Sequence, residues 1–363
     1  MSLYSLVKPL LFCFNPESAH NLAIKTLSFA PKFSNLFSNN KSYSNLQQNL
    51  FGYHFDNPIG LSAGFDKNAE AITALHGFGF GFLEVGTVTP KQQTGNSKPR
   101  LFRLPEDKAI INRFGFNNLG AEKVLENIQI AKKNQQNNQK ILGVNIGKNK
   151  DSQNNASDYI FLLEKFYQHS SYITINISSP NTANLRELQS EDHLAIFLDD
   201  LQKAYQKLQH LHQKSVPVFL KIAPDLDFRQ QQQLASLVLQ HNWLSAVIIS
   251  NTTIERNLSL TSPFACQTGG LSGKPLLQKS NQVLKNFYQL TAGKIKLIGV
   301  GGIFSAEDVY EKMCYGASLV QIYSAFVYEG FGLVEKIKAE LSAKIKQQGF
   351  INISQIIGIK RRN

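Results

Sequence analysis

The sequence predicts an α/β fold, a (β/α)8 barrel carrying a small N-terminal helical extension. Three observations lead there. The chain has 363 residues, enough for one barrel of about 250 residues and an appendage. From residue 57 onward, short apolar, β-branched runs alternate with helical or loop segments, the signature of parallel strands joined by helical crossovers. Nearly every run then ends in Gly, Asn, Ser, Thr or Lys, as strands do when their ends build a site at one face. A doubly wound sheet is the competing architecture, and two domains of similar size the competing reading of the length. Hydrophobic residues at 42% and charged residues at 18% exclude a disordered chain. Cys13, Cys266 and Cys314 are too few and too scattered for a disulfide scaffold or a Cys-cluster zinc site.

Residues 1–45 form the extension. Leu3, Leu6, Val7, Leu10, Leu11 and Phe14 repeat at helical spacing on one face. Asn15-Pro16-Glu17 stops that helix and starts another, with Asn15 as N-cap and Pro16 at the first helical position. The second helix places Ala19, Leu22, Ala23, Thr26 and Leu27 on one side. Lys8 and Pro9 interrupt the apolar run, which excludes a signal peptide. Two roles stay open for this pair: capping the core of the main domain, or lying in a membrane interface with Lys8, Lys25, Lys32 and Lys41 toward anionic lipid. The formal net charge of +12 suits an anionic surface or anionic ligands. No Lys/Arg run interleaved with aromatics suggests nucleic acid, and no stretch approaches the roughly 20 apolar residues of a membrane span.

Residues 46–345 form the barrel, with strands expected near 57–63, 82–88, 142–147, 172–178, 218–223, 246–251, 296–300 and 319–323. A long helix is expected over 191–213, where Leu194, Phe197, Leu198, Leu201, Tyr205 and Leu208 are in register. Residues 346–363 read as a basic C-terminal tail ending Lys360-Arg361-Arg362.

The strand ends carry the candidate chemistry. Gly299-Val300-Gly301-Gly302 and the run Gly316 to Ser324 suit a phosphate, with a helix from Ser305 expected to add its positive end. Lys67 and Lys221 end opposite strands, and Lys221 within Phe-Leu-Lys-Ile-Ala points into the barrel mouth, where an anion must meet it. A flavin anionic at its pyrimidine end is one such partner, and an imine-forming sugar phosphate another. Asn112, Asn145, Asn176, Asn181 and Asn251 offer uncharged donors and acceptors that suit a planar heterocycle with C=O and N–H edges. The absence of HExxH, of paired-carboxylate motifs and of a His/Cys cluster disfavours metal catalysis and hydrolysis.

Those segments resemble dihydroorotate dehydrogenase. Ser62 to Asn68, Glu84 to Pro90, Asn112 to Asn118, Asn176 to Thr182, Gly269 to Pro275, Leu297 to Ile303 and Val320 to Ser324 match the family's motifs in order and spacing, over residues 3–341. The resemblance implies an FMN-containing barrel that oxidises dihydroorotate to orotate in pyrimidine biosynthesis. It places a Ser, here Ser179, where the soluble class has Cys. With Pro16 to His20 in the extension, it points to the quinone-linked, membrane-associated class.

Carried over, the family's pattern makes Ser179 the base for the substrate's C5 proton, with Thr182 as relay and the C6 hydride passing to flavin N5. Lys67, Asn112, Arg113, Phe114, Gly115, Phe116, Asn176, Asn181, Asn251 and Thr252 would hold the substrate. Ala63, Gly64, Phe65, Asp66, Lys67, Thr87, Asn145, Asn176, Lys221, Ser250, Gly273, Gly301, Gly302, Tyr323 and Ser324 would hold FMN. His20, Arg103 and Tyr323 would face the quinone, of ubiquinone or menaquinone type. Ser62 and Ser250 depart from the family's more frequent Ala and Thr. The resemblance implies a monomer, peripheral on the cytoplasmic face of the inner membrane. Removing residues 1–40 is then expected to spare flavin reduction and slow reoxidation by quinone. The alternatives are an FMN barrel using fumarate or NAD, a Lys221-dependent sugar-phosphate lyase, and a non-catalytic membrane-bound carrier.

Overall fold

A computed structural model describes residues 3–36, 41–134, 140–181, 191–256 and 259–360. Two helices, α1 (Leu3–Cys13) and α2 (Pro16–Phe29), precede a short antiparallel hairpin of β1 (Gln48–Leu50) and β2 (Tyr53–Phe55). The barrel strands are β3 (Ile59–Leu61), β4 (Phe82–Val88), β7 (Ile141–Ile146), β8 (Tyr172–Asn176), β9 (Val218–Ile222), β10 (Leu244–Ile249), β12 (Lys296–Val300) and β13 (Ala317–Ile322). They close in the order β3-β4-β7-β8-β9-β10-β12-β13, with parallel pairing throughout. These are the eight expected strands, and a (β/α)8 barrel replaces the doubly wound alternative.

The outer ring comprises α3 (Ile72–Gly77), α4 (Ala121–Asn134), α5 (Asn155–Phe166), α6 (Glu191–His212), α7 (Phe228–Gln240), α8 (Leu277–Leu290), α9 (Ala306–Cys314), α10 (Ser324–Glu329) and α11 (Leu333–Gln347). One apolar layer fills the space between strands and helices, with Val85, Val144, Ile173 and Leu220 meeting Leu163, Leu198 and Leu234. A second cluster fills the barrel floor: Phe82, Tyr172, Phe219, Ile298 and Leu319 stack inside, and Phe51, Tyr53 and Phe55 of the β1–β2 hairpin plug it from below. The floor is closed, so ligands reach the barrel only from the opposite, C-terminal face.

At that face lies a three-stranded antiparallel sheet, β5 (Leu101–Leu104), β6 (Ala109–Asn112) and β11 (Gly270–Gly273), in the order β11-β6-β5. It carries the N-terminal helices. Arg103 of β5 donates to the carbonyls of Leu11, Phe12 and Phe14, capping the end of α1, and its guanidinium stacks on Phe12 at 4.4 Å. Tyr4 donates to Val327 O at 2.5 Å.

The structure corrects the expected face of α2. Glu17, Ile24 and Leu27 are buried, whereas Leu22 and Thr26 are exposed. The buried partner of Glu17 is Arg100, which draws a carboxylate to the inside and rotates the helix accordingly. The segment expected as a basic tail is docked over its described part: Ile353 and Ile356 are fully buried, and Lys360 N donates to Cys314 O at 3.0 Å. Among the described residues no helix is long and apolar enough to cross a membrane.

Candidate active site

The C-terminal strand ends surround a cavity of about 1110 Å³ of non-atom space, part of it open to solvent. It brings together Lys67, Asn112, Phe114, Gly115, Phe116, Asn176, Asn181, Asn251 and Thr252 of the expected substrate set with Ser179, the expected base. The same walls include Ala63, Gly64, Thr87, Lys221, Ser250, Gly273, Gly301, Gly302, Tyr323 and Ser324 of the expected cofactor set. Phe65, Asp66, Arg113 and Asn145 are not on these walls, and Thr182 lies outside the described residues.

Each absence has a structural reason. Asp66 is buried and its carboxylate accepts from Glu70 N (2.9 Å) and Ala71 N (2.8 Å), fixing the loop that presents Lys67. Burial raises its pKa to about 6 against those two bonds. Arg113 turns outward, donating to Gln267 Oε1 and Thr268 O at 3.1 Å and stacking on Phe102 at 4.7 Å. Phe65 faces a second cavity, beneath the helices. Asn145 sits one layer below the cavity, in a chain of amides and hydroxyls.

That chain starts at Asn251, whose Nδ2 donates to Ser178 Oγ at 2.9 Å. Ser178 Oγ donates to Asn176 Oδ1 (2.9 Å), and Asn176 Nδ2 to Thr87 Oγ1 (3.0 Å) and Asn145 Oδ1 (3.1 Å). Asn145 Nδ2 then donates to Glu84 Oε1 at 2.8 Å. The other Glu84 oxygen accepts from Thr174 Oγ1 (3.0 Å), Tyr172 OH (3.2 Å) and Gln321 Nε2 (2.8 Å). A carboxylate in the barrel axis is thus fully solvated by protein donors, and it locks the rotamers of the asparagines above it.

Ser179 is buried on the loop after β8, and among the described residues its Oγ accepts from Asn181 N at 3.2 Å. Asn181 Nδ2 donates to Asn112 O at 3.1 Å, tying this loop to the end of β6. Across the cavity, Lys67 lies over the Phe114 ring at 4.2 Å. Burial lowers its pKa to about 8, with Glu17 opposing that shift and Arg100 adding to it. Lys221 is buried on β9 and its ammonium donates to Ser62 Oγ at 3.2 Å. Burial lowers its pKa too, and Glu84 partly offsets this. The Ser at position 62 therefore does more than fill space, since an Ala there offers Lys221 no acceptor.

Gly301 (φ +106) and Gly302 (φ +77) turn the chain after β12, facing Gly273 (φ +101) and the Ser272–Ser324 hydroxyl pair at 2.9 Å. The α9 end does not assist as expected. Asp308 accepts from Phe304 N (2.8 Å) and Ser305 N (2.9 Å), while Ser305 Oγ accepts from Asp308 N (3.2 Å). This capping box satisfies the Phe304, Ser305 and Asp308 amides and puts a carboxylate where an anion would gain from them.

The second cavity lies between the N-terminal helices and the barrel, with about 690 Å³ of non-atom space and a mostly apolar lining. His20, Arg103 and Tyr323 line it together, as expected, beside Leu11, Phe12 and Ala19. Leu101, Ile110 and Tyr323 border both cavities. His20 packs edge-on to Phe65 at 5.2 Å, and burial with the nearby Lys67 lowers its pKa to about 3, so its imidazole is neutral.

Sequence reasoning missed Glu84, Ser178, Ser272 and Gln321 as members of the site. Only Glu84 left a signal, a charge inside the wholly apolar run Phe-Leu-Glu-Val-Gly. Glu17 and Arg100 were missed as a pair because nothing local links residues 83 apart.

Residues 45–345 match the family model described as dihydroorotate dehydrogenase. A dihydroorotate dehydrogenase (quinone) of Methylobacillus flagellatus is 46% identical over 337 residues, covering 92% of this chain and 98% of the relative. One of Acinetobacter baylyi is 46% identical over 336 residues, with 92% and 98% covered. The crystal structure of DHODH from Eimeria tenella in complex with ferulenol superposes with a TM-score of 0.90 at 37% identity, covering 98% of this chain and 99% of that one.

Proposed function

Because the chain belongs to the dihydroorotate dehydrogenase family, we propose that it oxidises dihydroorotate to orotate with bound FMN and delivers the electrons to a membrane quinone. One observation carries this reading: a polar cavity holding Ser179, Lys67 and the carboxamides abuts an apolar cavity under the N-terminal helices, across Leu101, Ile110 and Tyr323. A polar substrate and a lipid-soluble oxidant each need such a compartment.

FMN fits the donor set. Lys221 is a buried cation with one acceptor among the described residues, Ser62, and stands ready for an anionic ring edge. Among the described residues Gln321 Oε1, beside it, is buried without a partner and suits a ring N–H. The Gly301–Gly302 turn leaves backbone room for a phosphate. When bound, FMN supplies a two-electron acceptor for the hydride at the substrate's C6.

The chain's own groups do the rest. Lys67, backed by Phe114, takes the substrate carboxylate. Asn112, Asn176, Asn181 and Asn251 match its C=O and N–H edge. Ser179 removes the C5 proton. Serine is a weak base, so the Asn181 N–H at its oxygen stabilises charge as the proton leaves, and Thr182 passes that proton on. Burial of Ser179 excludes bulk water from the reacting carbon. On the other side, neutral His20 with Arg103 and Tyr323 forms the polar end of the quinone cavity. Val7 and Leu10 of α1, Phe14 of the turn after it, and Leu22 and Phe29 of α2 are exposed, and this apolar surface with its flanking lysines seats the protein on the cytoplasmic face of an anionic membrane.

The test is an absorbance spectrum followed by anaerobic addition of dihydroorotate. The flavin band should bleach, and a short-chain quinone should restore it. A colourless protein, or recovery with fumarate or NAD as fast as with quinone, defeats the proposal.

A further inference from the structure

Helix α2 reaches past the apolar cavity into the substrate side. Glu17 is buried and receives two bonds from Arg100, Nη2 to Oε1 at 2.7 Å and Nε to Oε2 at 3.1 Å. The remaining nitrogen of Arg100, Nη1, donates to Thr94 O (2.5 Å) and Asn96 O (2.8 Å), clamping the loop before β5. Asn96 Nδ2 then donates to Arg113 O (3.0 Å) and Asn181 O (3.2 Å). Those two acceptors belong to the segments that present Phe114 and Ser179, and Asn181 N is itself the donor to Ser179 Oγ. Five residues thus connect the N-terminal helices to the catalytic hydroxyl by bonds of ordinary length.

We propose that Glu17 and Arg100 are positioning residues for the substrate half of the reaction: through Asn96, helix α2 sets the placement of the loop that carries Ser179 and Asn181. This rests on the dihydroorotate oxidation proposed above. The extension then serves both halves of the enzyme, since its apolar face lines the oxidant's cavity while its buried carboxylate braces the proton-abstracting loop.

Electrostatics gives the pair a second hold on the site. The charged or titratable groups that influence Lys67 are Glu17 and His20 of α2, Arg100, and Asp66 and Glu70 of its own loop. Glu17 is the foremost group that favours the protonated lysine, so neutralising it moves loss of the Lys67 charge to lower pH.

The experiment uses full-length, FMN-loaded protein and the variants Glu17→Gln, Asn96→Ala and both together. Anaerobic flavin reduction by dihydroorotate, orotate affinity across pH, and reoxidation by a short-chain quinone are measured separately. Glu17→Gln and Asn96→Ala are each expected to weaken orotate binding and slow reduction about 5- to 20-fold. The double variant should lose little more than either single one, because both cut one chain. Reoxidation by quinone should stay within about twofold in Asn96→Ala, and the alkaline loss of orotate affinity should begin at lower pH in Glu17→Gln. A merely structural defect predicts instead additive losses and an unmoved pH limb. Unchanged reduction and orotate affinity in Asn96→Ala, which leaves the Glu17–Arg100 pair intact, overturn the proposal even if Glu17→Gln fails to fold. Wild-type protein that dihydroorotate cannot reduce marks failure of the functional reading instead, and orotate-independent exchange of the Asn181 amide in Asn96→Ala then still reports on the brace: faster exchange supports it and unchanged exchange overturns it.

Discussion

An alanine at Gly302 probes the turn assigned to the FMN phosphate, and its cost can be worked from the backbone. Gly302 has φ +77, a region where an L residue costs about 1–2 kcal/mol. The added Cβ would stand 2.4 Å from Leu277 Cβ, 2.5 Å from its Cα and 2.6 Å from its N. No rotamer relieves this, because the contact is with the first residue of α8. That residue is held in turn by Ser280 Oγ, which donates to Leu277 O (3.0 Å) and Gly301 O (3.1 Å). Overpacking of this kind costs about 1–3 kcal/mol, which brings the total to about 2–5 kcal/mol. If the turn opens to relieve the strain, FMN affinity falls about 30- to 4000-fold; if it holds, the loss appears in the melting temperature. Gly52 supplies the control, since φ there is +79 with nothing within 4 Å of a Cβ, so Gly52→Ala carries only the backbone cost. The assay is FMN titration of the apoprotein by fluorescence, with thermal melts of both variants with and without FMN. Wild-type affinity in Gly302→Ala, together with a melting temperature no lower than that of Gly52→Ala, would refute the reasoning.

Ser179→Ala should slow anaerobic flavin reduction by about 10²–10⁴-fold while leaving orotate binding within a few fold; stopped-flow rates close to wild type would remove the serine from its role. Orotate affinity should be full below pH 8, where Lys67 is protonated, and fall about tenfold per unit above its pKa of about 8, because the neutral amine no longer meets the carboxylate. A flat titration to pH 9.5 contradicts that. Replacing Leu10, Phe14 and Leu22 by serine removes three exposed apolar side chains and should lower co-sedimentation with anionic vesicles without changing reduction by dihydroorotate. Undiminished vesicle binding would place the membrane contact elsewhere.

The barrel was legible because its strands are buried on both sides, so β4 and β7 read as largely apolar runs, broken only by Glu84, Thr87 and Asn145, and their limits fall within a residue of expectation. At β3 the run 57–63 shortened to Ile59–Leu61 because Asn57 uses its side chain to accept from Ile59 N at 3.0 Å, which begins the strand later. The β5-β6-β11 sheet was missed since its strands have four residues each and β11 pairs with β6 across a separation of 162 residues at Ser272 and Ile110. Its alternation was nonetheless present: Phe102 and Leu104 turn inward while Leu101 and Arg103 face the helices. The self-capped start of α9 was also readable, in the Ser-x-x-Asp of Ser305 to Asp308. The site residues were legible wherever a strand end displays them, and illegible where a side chain turns away to hold a loop, its own for Asp66 and the Gln267–Thr268 segment for Arg113.

The Glu17–Arg100 pair also changes what truncation of the N-terminal helices should do. Read from sequence, loss of residues 1–40 spares flavin reduction and slows only the quinone step. In the structure that deletion strips Arg100, which is buried in the full chain, of both carboxylate bonds. Breaking one side of a buried pair costs about 3–5 kcal/mol. The same deletion removes Ile24 and Leu27 from the core, and each buried side chain of that size is worth about 1.5–3 kcal/mol. The combined loss of about 6–11 kcal/mol is comparable to the whole stability of many domains, about 5–15 kcal/mol. A truncated protein is therefore expected to melt far below the full chain and to be slow in both half-reactions. Adding Arg100→Met to the truncation should recover part of the melting temperature, because a buried methionine needs no ionic partner. If the truncated protein instead melts with the full chain and is reduced by dihydroorotate at the full rate, then the helices are only an attachment and the buried pair contributes nothing to the barrel.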